Sequence, residues 1–240
     1  TFDLSTQLGI RQEIGSYGIG YASFVFSGIP TEVYSDPYVV NVPREVTDRD
    51  SRGVRLGWSD ILGTKLGFEY TRRKIELDNE RSGATPAALG GLELSSAQQQ
   101  LLNREGDQSD ASVNYRFSFG KHYLLPQLKY REQDCDGRAM ANDGVEAQLS
   151  HGYNGDRFQT VINLLAGWFE YDQPNPVPAF GGKTREDDTL GVAFTIFDRE
   201  LIPAKGWSVT ATVAYYEIDS NIDFYDAEAT LVQAGVFYRF

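Results

Sequence analysis

Polar and apolar side chains alternate with a period of two along most of this chain, the signature of strands whose two faces meet different surroundings. Residues 109–119 show it plainly. One face reads Ala111, Val113, Tyr115, Phe117 and Phe119, and the other Asp110, Ser112, Asn114, Arg116 and Ser118. Residues 65–73 set Leu66, Phe68 and Tyr70 against Lys65, Glu69, Thr71 and Arg73, while 206–217 set Trp207, Val209, Ala211, Val213 and Tyr215 against Ser208, Thr210, Thr212 and Tyr216. Similar segments lie near 2–13, 17–28, 50–58, 122–133, 144–153, 157–171, 188–197 and 228–240. The pattern predicts about eleven antiparallel strands, many of about ten residues, as in the wall of a transmembrane β-barrel.

The connectors alternate too. Short turns fall near 15, at 59–64, 120–121 and 154–156, and near 200; long connections fall at 41–49, 78–108 and 134–143, and after 172 and 218. Short periplasmic turns alternating with long extracellular loops suit the same architecture. Aromatic residues gather at strand ends, as in Trp58, Phe119, Tyr123, Tyr153, Phe158, Trp207 and Tyr238. A soluble β-sandwich also alternates, but its strands usually run five or six residues. The reading is therefore a single all-β domain over 1–240, an antiparallel barrel. Within the 78–108 loop, residues 94–103 predict a short amphipathic helix capped by Ser95 or Ser96, set either in the mouth or on the rim.

Composition narrows the functions. Mean hydropathy of −0.39 does not oppose a membrane barrel, because half of each strand faces a polar lumen. No apolar run approaches the roughly 20 residues a spanning helix needs. A net charge of −12 leaves nucleic acid without an electrostatic footprint. The lone Cys135 excludes a disulfide framework within the chain.

The strand reading implies an orientation. If Phe240 ends the last strand on the periplasmic side, the segment 2–13 runs downward, and an even strand count requires either a strand over 31–41 or strands ahead of residue 1. Pro37 weakens the former. The polar faces carry Arg11, Arg55, Lys65, Arg73, Arg116, Lys129, Arg131 and Arg239 against Asp3, Glu69, Asp110 and Glu146. Such a lumen either selects anions or plugs itself through ion pairs.

Other chemistry is thinner. SHGYNG, with His151 and Asn154, is loosely similar to the His-x-Ser-Asn segment of outer-membrane lipid hydrolases, but Tyr153 occupies the place of the nucleophilic serine. Asp219, Asn221 and Asp223 alternate oxygens as calcium ligands do, yet lack the rest of an EF-hand series. No catalytic residue, cofactor or metal centre is assigned.

The stretches TDRDSRGVRLGW (47–58), LDNERSG (77–83), LSSAQQQLLNREGDQ (94–108), NDGVEAQLSHGY (142–153), GKTREDD (182–188) and YYEIDSNIDFYDAE (215–228) resemble a family of Gram-negative outer-membrane proteins catalogued as a domain of unknown function. The resemblance implies a bacterial outer-membrane location among lipid and lipopolysaccharide, and about three further strands, giving about fourteen in a closed barrel, with twelve as the alternative. Phe240 resembles the C-terminal aromatic recognised by the barrel-insertion machinery. The expected function is passive diffusion of small hydrophilic solutes, with a plugged or adhesive barrel, or a lipid-modifying enzyme, as rivals.

Overall fold

In a computed structural model, residues 4–33, 45–79, 86, 89, 91–198 and 207–238 are described. They form one antiparallel sheet, and each alternating segment read from the sequence is a strand. In chain order these are β1 (Leu4–Glu13), β2 (Ile19–Val33), β3 (Glu45–Ser59), β4 (Leu66–Leu77), β5 (Gly106–Tyr115), β6 (Phe117–Phe119), β7 (His122–Cys135), β8 (Asn142–Asn154), β9 (Phe158–Pro174), β10 (Thr184–Asp198), β11 (Trp207–Ser220) and β12 (Ala227–Tyr238). Each pairs with its neighbour in sequence, except that β5 and β6 both lie beside β7. At Arg116 the two part, and its amide instead donates to the Lys65 carbonyl at 3.0 Å. β6 thus continues β5, which leaves eleven strand positions in the wall. Among the described residues β1 and β12 are the free edges. Most of the proposed extra strand over 31–41 lies outside the described residues, as do Asp3, Arg239 and Phe240.

Register keeps the two faces apart across the whole sheet. The row Gly9, Ser23, Arg55, Thr71, Asp110, Arg131 and Gly144 runs unbroken through β1, β2, β3, β4, β5, β7 and β8. The adjacent row places Leu8, Phe24, Val54, Arg72 and Ser109 on the other face. A slip of one residue in any strand would exchange its faces.

The polar face is concave. Gln108, Asp110, Ser112 and Ser150 are all buried there, whereas Leu8 and Ile10 on the apolar face are 71% and 75% exposed. Curvature crowds the inner side chains and spreads the outer ones. Seven inter-strand steps separate β3 from β11, about 34 Å on a flat sheet. Arg104, just ahead of β5, nevertheless lies close enough to act electrostatically both on Arg49 of β3 and on Tyr225 beyond β11. That proximity fits a sheet curled around its polar face.

Apolar burial gathers at the end of the sheet that carries the long connections. The helix α1 (Ser96–Leu101) starts in a capping box in which Ser95 Oγ accepts from the Gln98 amide and Gln98 Oε1 accepts from the Ser95 amide, satisfying two of the free N–H groups at its start. Leu94 and Leu102 flanking it pack with Ala139 of the β7–β8 connection and Val177 of the β9–β10 connection, with Met140 and Phe180 around them. Gln98 Nε2 donates to the Pro176 carbonyl at 3.1 Å, and Asn175 Nδ2 to the Tyr225 hydroxyl at 2.6 Å. Four connections are thereby fastened into a cap. Gly137 makes the closest approach within it, since a Cβ there would meet the Asn103 amide nitrogen at 2.4 Å. Leu102→Ala should cost the cap about 2–5 kcal/mol; limited proteolysis should then cut between 86 and 105 while amide exchange in the strands is unchanged.

Candidate functional site

The charges of the polar face form a belt across β3, β4, β5, β7 and β8, and register decides who meets whom. Arg55 and Glu69, one diagonal step apart on adjacent strands, bond at 2.7 Å. Glu69 also accepts from the Tyr21 hydroxyl at 2.6 Å. Gly57 makes this possible, because a Cβ there would lie 2.0 Å from the Tyr21 ring; the bare glycine lets the tyrosine lie flat and reach along the wall.

Asp110 is the centre of the belt. Its two oxygens accept from Arg73 Nη2 at 2.8 Å and from Arg131 Nε at 2.9 Å, and Gln108 Nε2 donates to the same carboxylate. Lys129 pairs with Glu146 of β8. The predicted excess of cations is therefore largely ion-paired in place. It is not abolished: Arg49, Arg55, Arg73, Lys129 and Arg131 face Glu69, Asp110 and Glu146 in this belt. Arg49 makes no hydrogen bond or ion pair among the described residues and feels the charges of Arg73, Arg104 and Arg131. The Nε–H groups of Arg55 and Arg73 are buried and meet no acceptor there. Between these side chains lies a cavity of about 260 Å³, completed by Val25, Thr71, Ser112 and Gln127.

The other lumen candidates fall elsewhere. Arg11 is on the polar face of β1 but exposed. Lys65 precedes β4 and its ammonium bonds Asp60 in the adjoining turn at 3.1 Å, so it belongs to the turn and not to the belt. Arg116 stacks over the Tyr123 ring at 4.3 Å near the short-turn end. Arg49 was missed because 41–49 read as a connection; stepping back by twos from Arg55 through Gly53 and Ser51 would have reached it.

A second cluster was not foreseen. Arg185 and Asp187 of β10 are both buried and joined by two hydrogen bonds, Nε to Oδ1 at 2.8 Å and Nη2 to Oδ2 at 2.6 Å. The guanidinium lies between two rings, 4.6 Å from Tyr171 and 3.8 Å from Tyr225. Burial pushes the Tyr225 phenol up, opposed by the charge of Arg185. These groups anchor the β11–β12 connection to the wall.

Asn221 also serves that connection. Its Oδ1 accepts from the Glu186 amide at 3.0 Å and its Nδ2 donates to the Thr184 carbonyl at 2.8 Å, so it is spent on the backbone and is not free to ligate calcium beside Asp219 and Asp223. No group of three or more His, Cys, Asp or Glu side chains placed to hold a metal ion occurs among the described residues. Cys135 is the last residue of β7, buried rather than in a loop. His151 bonds His122 on the next strand, nitrogen to nitrogen at 3.2 Å. Both rings are on the apolar face by register, near Phe119 and Tyr153. Ser150 faces the other way and donates to Asn163 at 2.6 Å.

A sequence profile described as "Protein of unknown function (DUF2860)" matches residues 1–239. The chain belongs to that family. No curated protein matches it. Within this DUF2860 chain, removing one partner of the buried Arg185–Asp187 pair leaves a charge uncompensated. Arg185→Met should lower stability by about 3–5 kcal/mol, read from the urea midpoint, and the double variant with Asp187→Leu should recover most of the loss.

Proposed function

We propose that this chain builds the wall of a bacterial outer-membrane β-barrel through which small hydrophilic solutes diffuse, anions favoured. The observation that carries the reading is the coherent division of one curled sheet into an apolar convex face and a charged concave one. Soluble monomers rarely expose contiguous apolar surface beyond a few hundred Å², and here Leu8, Phe24, Leu56, Leu128, Leu164, Leu190 and Val213 expose it on strand after strand. Water cannot favour that surface; hydrocarbon can.

Two further features support the membrane setting. Trp58, Phe119, Tyr153, Phe158 and Trp207 gather where the short turns lie, as an interfacial aromatic girdle does. At the opposite end the convex face turns charged, with Arg52, Arg72 and Lys74 paired to Glu76 and Asp107, a level suited to lipopolysaccharide headgroups. The reading requires the β1 and β12 edges to be closed, by each other or by strands outside this chain, because unpaired backbone in hydrocarbon costs several kcal/mol per group.

The cap and the ion-paired belt favour a second reading, a closed barrel that binds a partner through its outer connections. Single-channel recording in a planar bilayer separates the two. A channel gives steady openings whose reversal potential under a salt gradient reports anion preference, weakened in Arg73→Gln and Arg131→Gln. A silent bilayer containing folded, inserted protein overturns the channel and supports the closed barrel.

A further inference from the structure

We infer that the cavity at the centre of the belt is a binding site for small monocarboxylates that also carry hydroxyl or ammonium groups. The inference deepens the channel reading, and rests on it only in that the concave face must be open to water.

The fold already contains one instance of the recognition required. Asp110 places a carboxylate between the Arg73 and Arg131 guanidiniums, with contacts of 2.8 and 2.9 Å. These are charge-assisted hydrogen bonds, shorter and stronger than neutral ones, one from each guanidinium. Donor capacity is left over after that pairing. The Nε–H groups of Arg55 and Arg73 are buried without an acceptor among the described residues, and a buried donor of that kind calls for an acceptor not yet in place. Arg49 adds a further positive charge at the edge of the same group.

The balance of charge leaves room for an added anion. Glu69, Asp110 and Glu146 are interleaved with the cations, so five positive groups face three negative ones. That excess of two takes one added carboxylate with charge to spare, and the two-oxygen acceptor already seated between Arg73 and Arg131, not net charge, is what favours a carboxylate over a phosphate. An ionised carboxylate has about four lone-pair positions. Glu69 has two recorded donors, Tyr21 and Arg55, and so retains capacity for a solute's own donors. Ser112 and Gln127 line the same cavity and are bonded to each other at 3.1 Å, offering hydroxyl and amide groups to a polar solute. An apolar acid such as benzoate would desolvate these groups and return nothing to them. The volume of about 260 Å³ admits a solute of a few carbon atoms.

Titration calorimetry of the refolded full chain in detergent, with gluconate as probe, tests the site without any need for conduction. Gluconate should bind saturably and more tightly than benzoate or inorganic phosphate. Arg73→Gln and Arg131→Gln should each weaken it about tenfold or more, whereas Arg52→Gln, on the opposite face, should not. Asp110→Asn removes the internal competitor and should tighten gluconate binding, a gain that misfolding cannot imitate. Absence of saturable binding to the unaltered chain, binding indifferent to both arginine changes, or equal binding of benzoate or phosphate overturns the inference. A conducting channel that does not bind gluconate sinks this site and leaves the channel; Arg73-dependent binding beside a silent bilayer does the reverse.

Discussion

Everything in this protein depends on register. Among the described residues the strands have no second layer to pack against, so what holds each one is its ladder of backbone hydrogen bonds and the like-with-like sorting of side chains across it. From β3 to β5, successive rows run Arg55, Thr71, Asp110 and then Val54, Arg72, Ser109, and a shift of one residue in β4 would carry Arg73 out of the belt and Phe68 into it. Such a shift would leave Asp110 short of one cation and Glu69 on the wrong face, away from Arg55. The polar network on the concave face and the apolar surface on the convex one therefore specify the same register twice over.

The same economy explains where apolar burial lies. In an ordinary globular domain it sits between layers; here the buried apolar residues Leu94, Leu102, Ala139, Ala141, Val177 and Ile222 belong to connections, with Ile75 and Cys135 near strand ends beside them, and only the small Ala193 and Ala214 are buried within the strands among the described residues. Among the described residues the cap is where the chain folds over its own sheet, and it ties together connections that follow β4, β7, β9 and β11. It also bridges non-adjacent strands, because Gln98, ahead of β5, reaches Pro176, beyond β9, across β7 and β8.

Much of this was legible in the sequence, and the reason is that period two is a local signal. All eleven wall strands, both families of connector and the α1 capping box follow from residues within a few positions of one another. Pairings were not legible to the same degree. Arg73, Arg131 and Asp110 could each be assigned to a face, but that one carboxylate serves two guanidiniums follows from the relative stagger of β4, β5 and β7, which no single strand encodes. Asn221 looked like a metal ligand for the same reason: its two backbone partners at 184 and 186 are more than thirty residues away. The Arg185–Asp187 pair is local, i to i+2 on one strand, and was missed because residues 182–188 read as part of a loop.

The concave face is not charged evenly, and on the proposed channel reading this bears on how a solute would travel. The belt occupies β3 to β8, whereas the middle of β9, β10 and β11 presents Asn163, Leu165, Gly167, Phe169, Thr189, Gly191, Ala193, Thr195, Thr212, Ala214 and Tyr216 to the same side, with the Phe169 and Tyr216 rings lying over Gly167 and Gly191. A neutral surface thus stands beside a wall of interleaved charges. An ion held by the belt alone would be held too well to leave, and one facing only the neutral wall would have no reason to enter. Because each guanidinium already shares a carboxylate, the field a passing anion meets is that of a modest excess and not of bare cations; exchange between Asp110 and a solute is then a swap of similar partners, which is the condition under which a binding site inside a pore speeds passage instead of blocking it.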